Sequence, residues 1–437
     1  MRIGLLSFGG PAGQIAVMYR ILVEERRWID EPRFLHALNF CMLLPGPEAQ
    51  QLATYVGWIL HGTRGGLIAG LLFILPGFLT MLALSYIYVL VGQHALIAGA
   101  LVGLKAAVIA LVLDSLIRIA RRTLTDVFRR AIAVLAFVAL AVFGVPFPWI
   151  VVAAGIAGWL ATRRAPVASP SVTAGTATTP SPPSLARSAK LLAIWLPLWA
   201  LPVIVSLVLA GQDSIYTGIG VFFSKMSVVT FGGAYAALAY VAQQAVERFA
   251  WLTPVQMMDG LGLAESTPGP LILVLQFVGF LAAYQAAGSL PPLLAGTLGA
   301  ILTAWVTFVP CFLWIFLGAP HVERLRAHVG LSGTLSAITA AVVGVIANLA
   351  VWFALHFLFA RSIPVTLRFG HFELPEAGSL QPVSLALTAL AILVLFGLRR
   401  GLPTTLAVCV LGGAIAHLTG CQMASIIDAA SSGLPTP

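Results

Sequence analysis

The sequence predicts an all-α polytopic membrane protein. Hydrophobic residues make up 59% of the 437 residues, charged residues make up only 9%, and the mean hydropathy is +0.99. A soluble globular protein carries about 25% charged residues, so this composition excludes a water-soluble protein. The apolar stretches are rich in Ala, Leu and Gly. They are about as long as the ~20 residues of a membrane-crossing helix and exceed the ~10 residues of a transmembrane β-strand, so helices are the predicted spanning elements.

Apolar stretches long enough to cross the bilayer as helices number about 13. Six lie in the first half of the chain, at 3–20, 35–60, 66–91, 95–117, 131–144 and 147–161. Six more lie in the second half, at 216–245, 255–287, 291–318, 331–359, 383–398 and 402–419. One extra segment lies between the halves, at 190–210.

A polar stretch interrupts this hydrophobic pattern between the two halves. Residues 162–190 carry Arg163, Arg164 and Arg187 within a run of Pro, Ser, Thr and Ala, a composition that cannot bury a core. We therefore divide the chain into a first repeat at 1–162, a flexible linker with a connecting transmembrane helix at 163–211, and a second repeat at 212–437.

The two halves are related by an internal duplication. Ser7-Phe8-Gly9-Gly10 matches Thr230-Phe231-Gly232-Gly233, and Pro45-Gly46-Pro47 matches Pro268-Gly269-Pro270, both at an offset of 223 positions (7 to 230 and 45 to 268). Beyond an insertion near residues 288–292 the offset becomes 234, where Pro76 matches Pro310. Paired repeats around a central site are a common construction of secondary transporters.

The charged loops bear on the orientation of the two repeats. Six segments plus the connecting helix place an odd number of crossings before the second repeat, which predicts inverted repeats. The net charge of +9 lies mostly in short loops, which fits the bias of positive loops toward the cytoplasm better than nucleic-acid binding. The arginine-rich loop at 118–130 has a far less basic counterpart in the second half, as inversion predicts. The loop at 20–33 disagrees, because it is also rich in arginine and this topology places it outside.

Two helix breaks are predicted at the Pro-Gly-Pro motifs. Proline removes an amide donor and clashes with the preceding turn, so the helices should stop at Pro45-Gly46-Pro47 and at Pro268-Gly269-Pro270. The half-helix after each break then presents unpaired N–H groups and a positive dipole end, which bind an anion. Gly9-Gly10 and Gly232-Gly233 are expected to add unwound backbone or close helix approach. The alternative is that Gly and Pro are simply frequent in membrane helices.

Lys105 lies near the middle of an apolar segment, where a charge is costly and must face protein or water. Beside helix breaks suited to an anion, we expect it to act as a counter-charge for an anionic substrate. The alternative is a structural pair with a buried carboxylate. Asp114 lies four residues before Arg118, so those two residues are expected to pair with each other on the helix surface.

Two carboxylates accompany the helix breaks. Glu48 follows the first Pro-Gly-Pro directly, and Glu265 lies three residues before the second. A carboxylate in low-dielectric surroundings can exchange protons near neutral pH, so we expect both residues to couple transport to the proton gradient. For Glu48 the alternative is a capping role in the first turn of its half-helix, where a negative charge is favoured.

Chemistry other than transport finds little support in the sequence. The eight histidines and four cysteines have no metal-ligand spacing, and we expect no metal ion or cofactor. We find no phosphate-binding loop or catalytic set, so we expect neither ATP hydrolysis nor enzymatic activity, and transport should be secondary. A membrane enzyme acting on a lipid-borne substrate and a passive anion channel are the alternatives.

Three runs of residues carry a family resemblance. They are Leu5-Leu6-Ser7-Phe8-Gly9-Gly10-Pro11-Ala12-Gly13-Gln14-Ile15, Glu24-Glu25-Arg26-Arg27-Trp28 and Asn39-Phe40-Cys41-Met42-Leu43-Leu44-Pro45-Gly46-Pro47-Glu48-Ala49-Gln50-Gln51. Together with the second-half motifs at 230–233 and 268–270, they closely resemble the chromate ion transporter (CHR) family, long-chain bidomain type. The resemblance spans nearly the entire chain.

The residues alone indicate a secondary transporter suited to an anion, and the resemblance supplies chromate. It implies chromate efflux across the bacterial inner (plasma) membrane by a multi-pass protein, driven by the proton motive force and conferring chromate resistance. Sulfate has a similar shape and charge and is the natural competitor, and a transporter of sulfate or another oxyanion is the alternative function. The expected partners are the oxyanion and the lipid bilayer, with no nucleic acid, and a homodimer is left open.

Overall fold

The computed structural model describes residues 2–7, 10–164, 185–231, 233–319, 329–367 and 370–432. The part of the expected linker at 165–184 lies outside these residues, and so do Gly9 and Gly232. Within the described residues the helices are α1 (Arg2–Leu6), α2 (Gly10–Tyr19), α3 (Glu31–Cys41), α4 (Glu48–Val91), α5 (Ala95–Thr123), α6 (Val127–Ala141), α7 (Phe147–Arg164), α8 (Leu185–Ala210), α9 (Ile215–Val229), α10 (Ala234–Ala242), α11 (Pro254–Ser266), α12 (Val274–Gln285), α13 (Pro292–Gly318), α14 (Val329–Leu358), α15 (Pro382–Ile392) and α16 (Leu402–Ser432).

Short irregular elements complete the described part of the chain. π-Helical turns extend α2 and α10 at matching positions of the duplication, Arg20–Glu25 and Gln243–Arg248. Between α14 and α15, β1 (Ser362–Leu367) pairs antiparallel with β2 (Gly370–Pro375). Hydropathy did not predict this β-hairpin.

The outer surface of the helices is apolar, as the membrane prediction requires. Among the described residues, six helices are long and apolar enough to cross a membrane: α4, α5, α8, α13, α14 and α16. On α8, Ile204, Val208 and Leu209 are 53%, 74% and 81% exposed. Contiguous exposed apolar surface of this kind marks a membrane-facing region. The prediction of an all-α polytopic membrane protein is confirmed.

The long helices α4 and α13 run antiparallel. The ring of Phe312, near the end of α13, fills the space that a Cβ on Gly70 of α4 would need. Further along α4, the hydroxyl of Tyr86 lies 2.6 Å from that of Thr297, near the start of α13. The matched prolines of the duplication, Pro76 and Pro310, lie on these two helices, so this one pair of equivalent helices runs antiparallel.

Four pairs of short helices fold back on themselves. In the first hairpin, α1 with α2, Arg2 forms an ion pair of 3.8 Å with Glu25. A continuous helix would hold these residues about 35 Å apart, so the chain turns back between them. In the third hairpin, α9 with α10, the ring of Phe222 lies 5.6 Å from that of Tyr240 and 5.6 Å from that of Trp251.

The Pro-Gly-Pro motifs form the tips of the other two hairpins. In the second hairpin, α3 with the first arm of α4 (48–60), the rings of Phe40 and Tyr55 lie 5.2 Å apart, whereas a continuous helix would separate them by about 22 Å. In the fourth hairpin, α11 with α12, the ring of Phe277 occupies the space of a Cβ on Gly260. After its first arm, α4 reverses direction at His61 and Gly62, where the backbone is not helical.

These hairpins correct the sequence interpretation of 3–20, 35–60, 216–245 and 255–287 as single spans. The arms α2, α3, α10 and α12 hold 10, 11, 9 and 12 residues. The π-helical turns of 6 residues each lengthen α2 and α10. Each arm is then about 16–24 Å long, which is shorter than the ~30 Å hydrocarbon core. The chain folds back after each of these arms, so none of the four segments is one continuous helix.

The backbone conformation repeats at the duplicated glycines. The φ angle is +72° at Gly10 and +93° at its counterpart Gly233, and it is +111° at Gly46 and +96° at its counterpart Gly269. Positive φ is accessible to glycine and costly for other residues. The glycine in each hairpin tip is therefore required by the turn.

Candidate functional site

The four hairpin tips contact one another in a reciprocal arrangement. In the second tip the N–H of Gly46 donates to the carbonyl of Thr230 in the third tip, at 3.1 Å. In the fourth tip the N–H of Gly269 donates to the carbonyl of Ser7 in the first tip, at 2.9 Å. Because these are equivalent positions of the duplication, the Pro-Gly-Pro motif of each half is bonded to the glycine motif of the other.

The long antiparallel helices α4 and α13 support the tips, again reciprocally. A Cβ on Gly46 would stand 3.0 Å from the Sγ of Cys311 on α13, and a Cβ on Gly269 would stand 3.1 Å from the Cα of Gly77 on α4. Gly77 and Cys311 are themselves equivalent in the duplication (77 to 311, offset 234). The approach of these helices gives a second reason why only glycine fits at both tips.

Helix N-termini converge at the tips. Helices α2, α4 and α10 begin there, and α12 begins there through the 3₁₀ turn Leu271–Leu273. In the described structure no side chain caps the start of α4, of α10 or of this 3₁₀ turn. The first N–H groups of a helix lack intrahelical partners and carry the positive end of its dipole. The sequence predicted two such ends, and the structure brings four together.

Two buried glutamines fix the tips from the side. The Gln14 side-chain amide on α2 donates to the carbonyl of Gly269 at 2.7 Å, and that of Gln51 on α4 donates to the carbonyl of Pro45 at 2.7 Å. Both side chains are buried. Sequence reasoning did not single them out, although a glutamine next to each glycine break in an apolar stretch was a usable signal.

Glu48 places its carboxylate over the start of α10. It is the first residue of α4 and is partly buried. Its Oε1 and Oε2 lie 3.5 and 3.9 Å from the point where a Cβ on Gly233 would stand. The Glu48 side chain thus spans from the second tip to the third.

Glu265 approaches the same turn of α10 from another side. Its Oε1 accepts a hydrogen bond of 2.6 Å from the hydroxyl of Tyr235, and the residue is 2% exposed. Within the described residues its Oε2 has no hydrogen-bond partner. The Tyr235 hydroxyl also lies 3.9 Å from the Cβ position of Gly10 in the first tip. Glu48 and Glu265 thus both lie near side-chain positions at the start of α10. All four tips form one group, which we call the tip cluster (7, 10, 45–48, 230–231, 233–235 and 268–270).

Lys105 forms a buried ion pair. Its Nζ lies 2.8 Å from Oδ1 of Asp259 on α11, and the other oxygen of Asp259 accepts a hydrogen bond of 3.0 Å from the hydroxyl of Tyr88. Lys105 and Asp259 are 8% and 3% exposed. This is the structural alternative that the sequence left open, and the contact of Lys105 with substrate stays a prediction. Sequence reasoning did not identify Asp259.

The end of α5 brings two arginines toward the carboxylates. Ser115 lies within hydrogen-bonding reach of the Tyr235 hydroxyl, the charge of Arg118 acts on Glu265, and the charge of Arg122 acts on Glu48. Arg118 also pairs with Asp114, as the sequence predicted. The spacing of 115, 118 and 122 on one helical face was the signal that sequence reasoning did not use.

The helix breaks expected at both Pro-Gly-Pro motifs are present, because α3 ends at Cys41 before α4 begins at Glu48, and α11 ends at Ser266 before the turn that begins at Leu271. The described site residues other than Lys105, namely Gly10, Pro45, Gly46, Pro47, Glu48, Gly233, Glu265, Pro268, Gly269 and Pro270, lie in or beside the tip cluster. Their roles in binding and proton coupling stay predictions.

Comparison with known proteins gives consistent matches. The sequence model of the family described as "Chromate transporter" matches residues 1–159 and 217–418. A chromate transport protein of Pseudomonas aeruginosa is 35% identical over 354 residues, which cover 79% of this chain and 77% of that protein. A chromate transport protein of Cupriavidus metallidurans is 29% identical over 347 residues, 79% of each chain. An uncharacterized transporter of Bacillus subtilis, YwrB, is 37% identical over 113 residues, which cover 26% of this chain and 57% of that protein. No solved structure gives a significant match.

Proposed function

The chain belongs to the chromate transporter family, and from this premise we propose that it is a secondary active transporter that exports chromate from the cytoplasm. Export is driven by the proton motive force across the bacterial inner membrane and gives chromate resistance. The observation that carries the proposal is the tip cluster, where four helices begin with their positive ends together.

A tetrahedral dianion suits this cluster chemically. Backbone N–H groups at helix N-termini bind phosphate and sulfate groups without a metal ion or a covalent step. We assign substrate binding to the backbone around Pro45-Gly46-Pro47 and Pro268-Gly269-Pro270, together with the glycine pairs Gly9-Gly10 and Gly232-Gly233. Glu48 and Glu265, near the start of α10, are the proposed proton-coupling groups.

In this proposal Lys105 does not act as a free counter-charge for the substrate. Its ammonium is already neutralised by Asp259 at 2.8 Å. Because α5 belongs to the first half and α11 to the second, the pair holds the fourth hairpin against the first repeat. Lys105 therefore supports the site through the position of that hairpin.

The membrane potential alone supplies a large driving force. Moving one elementary charge through 100 mV is worth about 2.3 kcal/mol, so a dianion leaving a cell that is negative inside gains about 4.6 kcal/mol. At about 1.4 kcal/mol for each factor of ten, this corresponds to roughly three decades of concentration. Each proton that left together with the anion would reduce this gain by about half.

We propose an inverted pair of repeats with nine membrane crossings. The crossings are the second arm of α4 (63–91) and helices α5, α6, α7, α8, α13, α14, α15 and α16, with two half-membrane hairpins entering from each side. The antiparallel course of α4 and α13 supports inversion. This topology also places the basic loop at 20–33 on the same side as that at 118–130, so both basic loops face the cytoplasm. The one loop that disagreed with thirteen spans is thereby accommodated.

Transport then follows by alternating access. One repeat rocks against the other, so that the tip cluster opens first to the cytoplasm and then to the outside. Tip contacts between halves, such as Gly46 with Thr230, are the contacts that this movement exchanges.

Chromate uptake into inverted membrane vesicles tests the proposal. In energised vesicles that contain the chain, chromate should accumulate above its external concentration, and a protonophore should abolish accumulation. Vesicles without the chain are the control, and excess sulfate or phosphate identifies competing anions. Uptake that follows the membrane potential but does not respond to an imposed pH gradient, with the potential clamped by valinomycin and potassium, would indicate a channel. No uptake at all would contradict transport.

A further inference from the structure

Glu48 puts a negative charge at the place where the proposed function puts the substrate. Both of its carboxylate oxygens lie within 4 Å of the Cβ position of Gly233, the residue that precedes α10. The same carboxylate belongs to the first turn of α4. An anion at the start of a helix is stabilised by the helix dipole, and this carboxylate lies beside the starts of α4 and α10.

We propose that the Glu48 carboxylate is a tethered occupant of the oxyanion site at the start of α10, which the substrate displaces and which leaves the site when it is protonated. This inference rests on the proposed function and specifies how the site is controlled. The protein's own carboxylate fills the anion position in the absence of substrate.

The Glu48 carboxylate lies at ordinary van der Waals contact distance from the Cβ position of Gly233, where the backbone conformation favours glycine. Gly233 has a φ of +93°, and a Cβ there would contact Oε1 of Glu48 at 3.5 Å. The side chain of Glu48 is only partly buried, so it has room to move away. Within the described residues Glu48 forms no ion pair within 4.0 Å.

Glu265 gives independent evidence that a carboxylate in this region binds a proton. It is 2% exposed and bonded to Tyr235 in the first turn of α10, and its Oε2 has no partner among the described residues. A buried carboxylate oxygen without a donor calls for a proton or another donor. The arrival of an anion nearby disfavours the charged form of a buried carboxylate, so Glu265 takes a proton most easily when the substrate binds.

Titratable groups on five neighbouring helices surround Glu48. Those that face this region from the neighbouring elements are Cys41 on α3, Arg118 and Arg122 on α5, Tyr235 on α10, Glu265 on α11 and Cys311 on α13. The charge of Arg122, in an exposed position at the end of α5, also acts on Glu48.

The inference makes the site pH-dependent in a defined direction. Below the pH at which Glu48 ionises, the side chain is neutral and does not compete, so oxyanion affinity is maximal. As pH rises, the ionised carboxylate competes and affinity falls, by roughly tenfold per pH unit for one linked proton. Removing the charge should therefore abolish this part of the pH dependence.

Equilibrium binding of radiolabelled chromate, repeated with sulfate, to the full chain in nanodiscs between about pH 5.5 and 8.5 tests the inference. Wild-type affinity should fall as pH rises, whereas Glu48→Gln should bind at pH 8.5 at least ten times more tightly than wild type, with a flat profile. Glu376→Gln, in a partly exposed position beside the β-hairpin, is the matched control and should follow wild type.

Infrared difference spectra provide a second readout that does not depend on affinity. Sulfate added near pH 8 should produce a carboxylic-acid C=O band in wild type that is missing in Glu48→Gln. A wild-type pH profile in a folded Glu48→Gln variant, or the same band in both proteins, would overturn the inference and leave the proposed function intact. If wild type bound neither anion at any pH, both would be overturned.

Discussion

Lys105 and Asp259 join the two repeats through a buried ion pair, with Nζ and Oδ1 2.8 Å apart and the Tyr88 hydroxyl on the second carboxylate oxygen. The pair connects α5 of the first half to α11 of the second, at a depth where unpaired charges are not tolerated. Removing one partner of the ion pair and replacing both partners with apolar residues are therefore expected to have different effects.

Removing only one partner should destabilise the protein. Lys105→Leu leaves Asp259 buried without its cation, and breaking such a pair typically costs about 3–5 kcal/mol. The double substitution Lys105→Leu with Asp259→Leu removes both charges and should recover most of this loss. Thermal unfolding in detergent and chromate resistance in cells would measure both effects. A double variant that is stable but does not transport would place Lys105 in contact with the substrate after all.

The tip glycines should not tolerate a side chain. Gly46→Ala and Gly269→Ala each put a Cβ at a φ of +111° or +96°, which costs about 1–2 kcal/mol before the close contacts with Cys311 or Gly77 are counted. We expect each variant to reach the membrane in reduced amount and to lose chromate transport. Gly378→Ala is the matched control, since no atom lies within 4 Å of its Cβ position. Full activity in either tip variant would show that the tips do not bind substrate.

The hydroxyl of Tyr235 should matter for proton coupling. Tyr235→Phe removes the 2.6 Å hydrogen bond to Glu265 and leaves that buried carboxyl group without its donor. We expect chromate transport to persist at a reduced rate, with an altered pH dependence. Tyr216→Phe is the control, because its hydroxyl makes only a 3.5 Å contact with a backbone carbonyl. Unchanged pH profiles in both variants would remove Tyr235 from the coupling route.

The hairpin topology can be tested by cysteine labelling. Arg27→Cys, between the first and second hairpins, should react with a membrane-impermeant thiol reagent only in inverted vesicles. Thr125→Cys, in the basic loop after α5, should behave in the same way, while Ser289→Cys, between α12 and α13, should react in intact spheroplasts. All variants carry Cys421→Ser, and the chain with this change alone is the control, since Cys41, Cys311 and Cys409 are buried. Reaction of Arg27→Cys from outside would favour thirteen straight spans over half-membrane hairpins.

The sequence was sufficient for the helices and their breaks, because hydropathy and the Gly and Pro motifs report local structure directly. It was insufficient for the path of the chain. A half-membrane arm with its return contains as many apolar residues as one full span, so α1 with α2 had the hydropathy of a single helix. Only long-range contacts such as Arg2 with Glu25 distinguish the two.

The site residues also divide into those that the sequence could identify and those that it could not. The Pro-Gly-Pro motifs and their neighbouring carboxylates were found because the duplication marked them. Asp259 carried no such mark, because its counterpart in the first half is His36 (259 minus 223), and its partner Lys105 lies in the other repeat. A pairing across repeats between residues that are not duplicated has no local signature.

Gly46 donates a hydrogen bond to Thr230, and Gly269 donates one to Ser7. Each half therefore needs the other half to complete the tip cluster. A single half would have to find a second copy of itself, and each substitution would then appear twice. Fusion of the halves removes that restriction, so that one half can hold a lysine and the other an aspartate where the equivalent positions carry Thr339 and His36. Covalent linkage thus permits an asymmetric assembly with a different task for each half.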